Sequence, residues 1–379
     1  MTSHQDPTFT VGIEEEYLLV DAETGELAAD PPDAMLRECE NTLGGQVSPE
    51  FLRSQIEVGT KVCATVAEAR EDLAMLRNTV IDIAAQYGLA PIAASSHPFG
   101  QWWHQKHTAA VRYEALAAEM QTAARRLVIC GMHMHVGIED DAVRIDLMNQ
   151  MSYFLPHLLA LSTSSPFWDK RNTGLKSYRL TVFDALPRTG IPERFSSFAE
   201  YSRHVEILRR AGLIEDASKI WWDLRPSVRY PTLETRVMDV CTRLDDAIAI
   251  AALNACLLRM LYRLRRSNQR WRLYTRMLIN ENRWRAIRYG TDNGMVDLAK
   301  GNIVPFDALL EDMLELTAED AEALQCTEQV QSLRDILKRG TSAHRQIAQY
   351  EQSRERGADN DAALRDVVLS LIEETRSHR

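Results

Sequence analysis

The chain has 379 residues, 45% of them hydrophobic and 26% charged, which is enough apolar material for a large core in an ordinary globular protein. A net charge of −10 excludes a general nucleic-acid binder, although arginine is concentrated between Arg263 and Arg288. No run of 18 apolar residues offers a membrane span, and the opening MTSHQDPTFT has neither the basic nor the apolar region of a secretory signal.

Val11–Val20 reads as a β-strand in which successive side chains point to opposite faces. Glu14 and Glu16 therefore share one face, and Val11, Ile13, Tyr17 and Leu19 the other. Two carboxylates side by side on an apolar strand repel each other and are costly to desolvate unless a cation joins them. An edge strand with a wet polar face would show the same pattern. Glu15, on the opposite face, is a candidate partner for an arginine. After a turn at Asp21–Glu26, a Pro31-Pro32 loop leads to a short helix. Gln46–Gly59 has strand-like content with Glu50 and Glu57, whose odd separation requires a bulge or places one of them on a loop.

Thr65–Glu68 is a capping box opening a long amphipathic helix that stops at Gly88. Leu89–Ala94 is a short strand, Ser95–Trp103 an aromatic-rich loop, and a helix is expected from about Ala109 to Ala124. Leu127–Ile138 reads as a strand with His133 and His135 on one face. A helix from Asp140-Asp141 to about Leu161 follows, then Ser162–Arg179, too polar and turn-rich for a core element. After helical content near Ser196–Ala211, Ser227–Val240 reads as a strand with Glu234 and Arg236 on one face. From Leu244 onward the pattern is helical, with breaks near Ser267, Gly290–Gly294, Pro305 and Gly340, and a frayed end. Residues 1–379 read as one α+β domain, since no repeat, linker or composition change divides them. The six cysteines are scattered without a CxxC pair, which predicts reduced thiols in a cytoplasmic protein.

Four strand-like segments thus carry costly groups: Glu14/Glu16, Glu50/Glu57, His133/His135 and Glu234/Arg236. Buried charges need partners or metals, and mostly carboxylate ligands suit Mg²⁺ or Mn²⁺, ions that commonly hold nucleotide phosphates. Arg171, Arg179, Arg236, Arg285 and Arg288 supply guanidinium forks for carboxylates or phosphates. No GxxxxGK[ST], GxGxxG, HExxH or GxSxG motif is present, so any use of ATP proceeds without a Walker lysine. A zinc hydrolase built on His133-x-His135 is the alternative, with His97, His104, His107, His157 and His204 as further ligands. It leaves the glutamates without a role. A non-catalytic acidic protein leaves all four segments unexplained.

GIEEEYLL at 12–19, PEFLRSQIEVGT at 49–60, CGMHMHVGI at 130–138, SSPFWDKRNTGLKSYR at 164–179, TLETRVMDV at 232–240 and NRWRAIRYG at 282–290 together resemble the carboxylate–amine ligase family, the YbdK type similar to glutamate–cysteine ligase type 2. The resemblance implies a fold like the glutamine synthetase catalytic domain: a curved, mostly antiparallel sheet with metals on its concave face and helices outside. It implies ATP-dependent joining of a glutamate γ-carboxylate to an amine, such as that of cysteine, through an acyl phosphate with Mg²⁺. By the same resemblance Glu14, Glu16, Glu50, Glu57, His133 and Glu234 match the metal-binding set, with Glu57 also counted as catalytic. Arg236 corresponds to a contact to the transferred phosphate and Arg179 to a grip on a substrate carboxylate. Arg171, Arg285 and Arg288 are further substrate-contact candidates. The implied partners are small molecules (ATP, glutamate and an amine), with no nucleic acid and no membrane; self-association into a homo-oligomer stays open.

Overall fold

The computed structural model describes residues 6–109 and 120–378. Its centre is strand β1 (Val11–Asp21), whose odd-numbered side chains from Val11 to Leu19 are buried while Gly12, Glu14 and Glu16 stay partly open. Six more strands complete the main sheet: β2 (Val47–Pro49), β3 (Gln55–Gly59), β4 (Leu89–Ile92), β5 (Met132–Gly137), β6 (Leu224–Pro226) and β7 (Thr232–Thr235). The strand order is β6-β7-β5-β1-β3-β2, with β4 beside the C-terminal half of β1, and every pairing is antiparallel.

Helices cover the apolar face. After α1 (Asp33–Leu43), helix α2 (Val66–Gln86) begins at Thr65, whose side chain accepts from Glu68 N, while Glu68 reaches back to Ala64 N. It packs against β1 together with α5 (Leu244–Arg266). That last helix is apolar and long enough to cross a membrane, yet 78% of its most apolar window is buried in the fold. At their contact Arg77 of α2 meets Glu15, the odd-face glutamate of β1, through Nε–Oε2 at 2.7 Å and Nη2–Oε1 at 2.6 Å. Arg77 also donates to the carbonyls of Cys241 and Thr242, and Tyr17 Oη donates to Glu15. A buried charge pair costs much desolvation, so full hydrogen bonding is what makes this one tolerable.

Several expectations change. Gln46–Gly59 is a hairpin rather than one strand, and Glu50 lies on its connection, as the loop alternative required. The helix expected to run from Asp140 to Leu161 is two, α3 (Asp141–Met151) and α4 (Leu155–Ser162), because Pro156 has no N–H to donate back into the preceding turn. Of the helix expected at 109–124, residues 110–119 lie outside the described residues, and Thr122–Arg125 is helical. In Ser227–Val240 only Thr232–Thr235 is ladder-paired strand. Ser227 and Thr232 close a turn, and Pro231 lacks a donor for a longer ladder. Ser162–Arg179 is partly a core segment: Ser162 through Trp168, Ser177 and Arg179 are buried, while Asp169–Asn172 and Gly174 are exposed. The C-terminal end is a helix to Arg376 that buries Leu364, Val368 and Leu371 and caps Ala93 N through Thr375 Oγ1. The helix breaks at Ser267, Gly290 and Gly340 fall where expected; Gly290 (φ 58°) and Gly340 (φ 76°) end their helices at a positive φ that glycine adopts without a Cβ penalty.

Candidate active site

Register builds the site. Residues directly opposite on antiparallel strands share a face. Glu16 faces Glu57, which faces Ser48; Glu14 lies between Gly59 and His133; and His135 lies between Gly12 and Glu234, which faces Arg225. Three cross-strand rows thus put the acidic and imidazole groups on the face that helices leave open, lining a cleft of about 560 Å³. Glu50 joins from the β2–β3 connection, its Oε2 accepting from Phe51 N.

The groups form two clusters. Glu16, Glu50 and Glu57 each bring a carboxylate oxygen within 4.8 Å of the others, and so do carboxylate oxygens of Glu14 and Glu234 with a ring nitrogen of His135. In the first cluster burial and the neighbouring Glu50 push Glu16 up to about 7 from the usual 4.5, against the pull of Arg179 and the Gly131 N–H. Burial, then repulsion from Glu50, Glu14 and Glu16, pushes Glu57 well above the carboxylate range. In the second cluster burial opposes charge but loses: the neighbouring imidazoles of His133 and His135 hold Glu14 low, and Arg236 and Arg225 hold Glu234 low. Arg225 forks onto Glu234 at 2.9 and 3.1 Å, and Arg236 Nη1 bonds its Oε1.

The histidines divide their work. Burial and the charge of Arg236 depress His133 to about 4, leaving it neutral, with Nδ1 3.3 Å from Glu14 Oε2 and 3.4 Å from Arg236 Nη1. His135 Nδ1 and Thr232 Oγ1 are hydrogen-bonded at 2.8 Å, and the His135 Nε2 faces Glu14 Oε1 at 3.4 Å without a hydrogen bond. Burial works against charge on His135, but Glu14 and Glu234 raise its pKa. So His135 joins the second cluster, with His133 beside its Glu14. Repelling carboxylates and an unsatisfied ring nitrogen are what a hard divalent cation relieves, so the donor set fits Mg²⁺ or Mn²⁺.

Arg179 lines the same cleft. Its guanidinium is buried, donates weakly to the carbonyls of Arg236 and Val237, and makes no ion pair among the described residues. It lies over Gly131, where an added Cβ would come within 2.4 Å of Nη2. The other arginines are elsewhere. Arg171 is exposed on a short ribbon, Arg285 spends its donors on the Asn293 and Gly294 carbonyls, and Arg288 bonds Gly174 O. The last two sit on helix α6 (Arg276–Tyr289), outside the cleft. None of Arg171, Arg285 and Arg288 therefore lines the cleft that holds the carboxylate clusters; Arg288 instead lines a separate cavity with Asn172 and Tyr289. Trp102, Trp103, Phe167 and Trp168 do not line the cleft, whereas Phe183, Trp221 and Tyr230 do. Arg225 was missed, although its alternation with Leu224 and Pro226 beside an acidic strand was a usable signal. The zinc reading fails on position: His97 bonds Gly25 O, His157 lies among Tyr153 and Phe154, His204 bonds Glu200 O on its own helix, and no third histidine joins the pair among the described residues.

A sequence profile described as glutamate–cysteine ligase family 2 matches residues 10–365. The chain belongs to glutamate–cysteine ligase family 2. Family members of similar length include a Rhodospirillum rubrum protein provisionally named glutamate–cysteine ligase 2, 60% identical over 98% of this chain and 96% of that one. A Jannaschia protein with the same provisional name is 56% identical, covering 97% of each. The fold of this family member is shared with the glutamate–cysteine ligase of Francisella tularensis, solved with AMP, at TM-score 0.66 and 15% identity over 97% of this chain and 89% of that one. A bifunctional glutathione synthetase from Pasteurella multocida matches at TM-score 0.67 and 14% identity over 97% of the chain, which spans about half (52%) of that longer protein. This architecture is α+β, with an open antiparallel sheet and helices on one side.

Proposed function

We propose that this glutamate–cysteine ligase family 2 protein is an ATP-dependent carboxylate–amine ligase that joins the γ-carboxylate of glutamate to an amine, acting in the cytoplasm as one catalytic domain over residues 1–379. The observation that carries this is the meeting of two carboxylate clusters with Arg179, Arg225 and Arg236 in one cleft, without a Walker lysine. Phosphoryl transfer needs positioning and charge neutralisation more than covalent help from the protein.

Glu16, Glu50 and Glu57 would hold one Mg²⁺ or Mn²⁺, and Glu14, His135 and Glu234 another, with His133 beside Glu14. Such ions neutralise phosphate charge and favour in-line transfer. A carboxylate oxygen of the acid attacks the γ-phosphorus of ATP, releasing ADP. The amine nitrogen then attacks the acyl phosphate, loses a proton and expels phosphate. Arg236, positioned by Glu234 and with its Nε unpartnered, faces the transferred group. Arg179, buried and in no ion pair among the described residues, offers its fork to the acid substrate.

The test is ADP release from ATP and Mg²⁺ with glutamate, alone and with a panel of amino acids and small amines. The reading expects glutamate-dependent ADP that rises with one amine. No glutamate-dependent ADP with any amine overturns it.

A further inference from the structure

The two buried ends of the polar segment 162–179 pack in the core around one acid, Asp239. That side chain is fully buried and accepts three hydrogen bonds: Ser164 N at 2.9 Å and Ser165 Oγ at 2.8 Å on Oδ2, and Ser177 Oγ at 2.9 Å on Oδ1. Ser165 and Ser177 lie at opposite ends of the segment and are themselves stitched together, with Ser165 N donating to Lys176 O and Tyr178 N to Ser165 O. Ser165 Oγ also accepts from Arg179 N at 3.1 Å. One carboxylate therefore closes this segment at the residue where the cleft-facing arginine begins.

Asp239 belongs to the stretch that follows β7 and carries Arg236. There Gly131 bridges to Asp239, and the Arg179 guanidinium donates to the Arg236 and Val237 carbonyls. A buried carboxylate is expensive unless its lone pairs are filled, and here every bond it accepts comes from the segment leading to Arg179. Burial raises the Asp239 pKa while the charge of Arg179 lowers it, so the two also offset each other's charge.

We infer that Asp239 is a positioning residue which, through Ser165 and Ser177, fixes Arg179 against the strand carrying Arg236 and so sets the spacing between the grip on the acid substrate and the grip on the transferred phosphate. The inference rests on the proposed role of Arg179. Asp239→Asn keeps the volume but removes the charge and turns one acceptor into a donor facing a hydroxyl or an N–H. Ser165→Ala removes only the hydroxyl shared by Asp239 and Arg179 N.

The experiment measures glutamate KM, ATP KM, kcat and thermal midpoint on the full chain for Asp239→Asn, Ser165→Ala, Ser165→Thr, the Asp239→Asn/Ser165→Ala double variant and Arg179→Lys. Glutamate kcat/KM should fall about ten-fold or more in Asp239→Asn and Ser165→Ala, with ATP KM changed by less than about two-fold. The double variant should be little worse than either single one, because both cut the same linkage. Ser165→Thr, which keeps a hydroxyl, should recover most of the loss. If Asp239→Asn does not fold, Ser165→Ala against Ser165→Thr decides. Equal loss toward glutamate and ATP, or unchanged glutamate kinetics beside a damaged Arg179→Lys, overturns the inference alone. Unchanged glutamate kinetics in Arg179→Lys itself overturns the role of Arg179 and the inference with it.

Discussion

Glu57 faces Glu16 across the sheet, with Ser48 on its other side, and burial together with Glu50, Glu14 and Glu16 raises its pKa. A group held this way is kept for what binds it, since it destabilises the empty protein. Glu57→Gln should therefore abolish ATP turnover while raising the urea midpoint of the metal-free protein, by about 1 kcal/mol or more at pH 8. Loss of activity with a lowered midpoint would make Glu57 a structural residue. At this scale the sequence was legible where strand alternation applied: Glu14, Glu16, Glu234 and Arg236 needed only the period of two. It did not tell whether Arg285 and Arg288 reach the carboxylate cleft, because a helix full of arginines looks the same whichever way its side chains turn, and here both bond nearby carbonyls outside that cleft.

Helix α2 and strand β1 meet through Arg77 and Glu15, both buried. Removing one partner leaves the other charge stranded, so Arg77→Met should cost about 3–5 kcal/mol of stability, read as a lowered urea midpoint. A change below about 1 kcal/mol would mean that Glu15 takes up a proton from solvent without strain. The alternation of β1 exposed this glutamate as odd, and its partner could not be found from sequence because Arg77 reads as one more polar position on an amphipathic helix. Elements bounded by local chemistry, such as α2 with its Thr65 cap, came through intact. The long helix predicted across Pro156 did not, and the segment 162–179, expected to be too polar for a core element, has buried ends whose serines are satisfied by Asp239 from a distant part of the chain.

Across the whole molecule, buried titratable groups set two opposing pH slopes. Burial depresses His97 and His157 to about 4, and burial with Arg236 does the same to His133, from the usual 6.5. Between pH 6.5 and 4 the unfolded chain binds protons the folded one refuses, so stability is lost as pH falls through that window. Above pH 6.5 those histidines are neutral in both states. Glu16 (about 7 against the usual 4.5) and Glu57 work the other way: folded, they keep protons that the unfolded chain releases above about 4.5, so their contribution falls as pH rises from there, ending near 7 for Glu16. Below pH 6.5 the three histidines outweigh these two carboxylates; above it Glu57 and the raised His135 leave the metal-free protein a net decline. The Glu16 share is on the order of 3 kcal/mol at most, spread over pH 4.5 to 7. Urea midpoints at pH 5, 6.5 and 8 should peak near 6.5, and millimolar Mg²⁺ should flatten the upper limb. A metal-free curve still rising at pH 8 would refute the crowding of these carboxylates.

The sequence by itself determined the strand faces, the capped helices, the absence of a Walker lysine and the family, since these depend on local periodicity or on contiguous motifs. Only the tertiary structure decided the rest: that the carboxylates split into two clusters, that His135 joins one of them, that Arg225 and Arg179 face the cleft while Arg171, Arg285 and Arg288 do not, and that Asp239 organises the buried ends of a polar segment. The physical reason is register. Which residues stand opposite one another, and which buried charge finds which partner, is set by pairings between segments tens to hundreds of residues apart, and no local pattern encodes them.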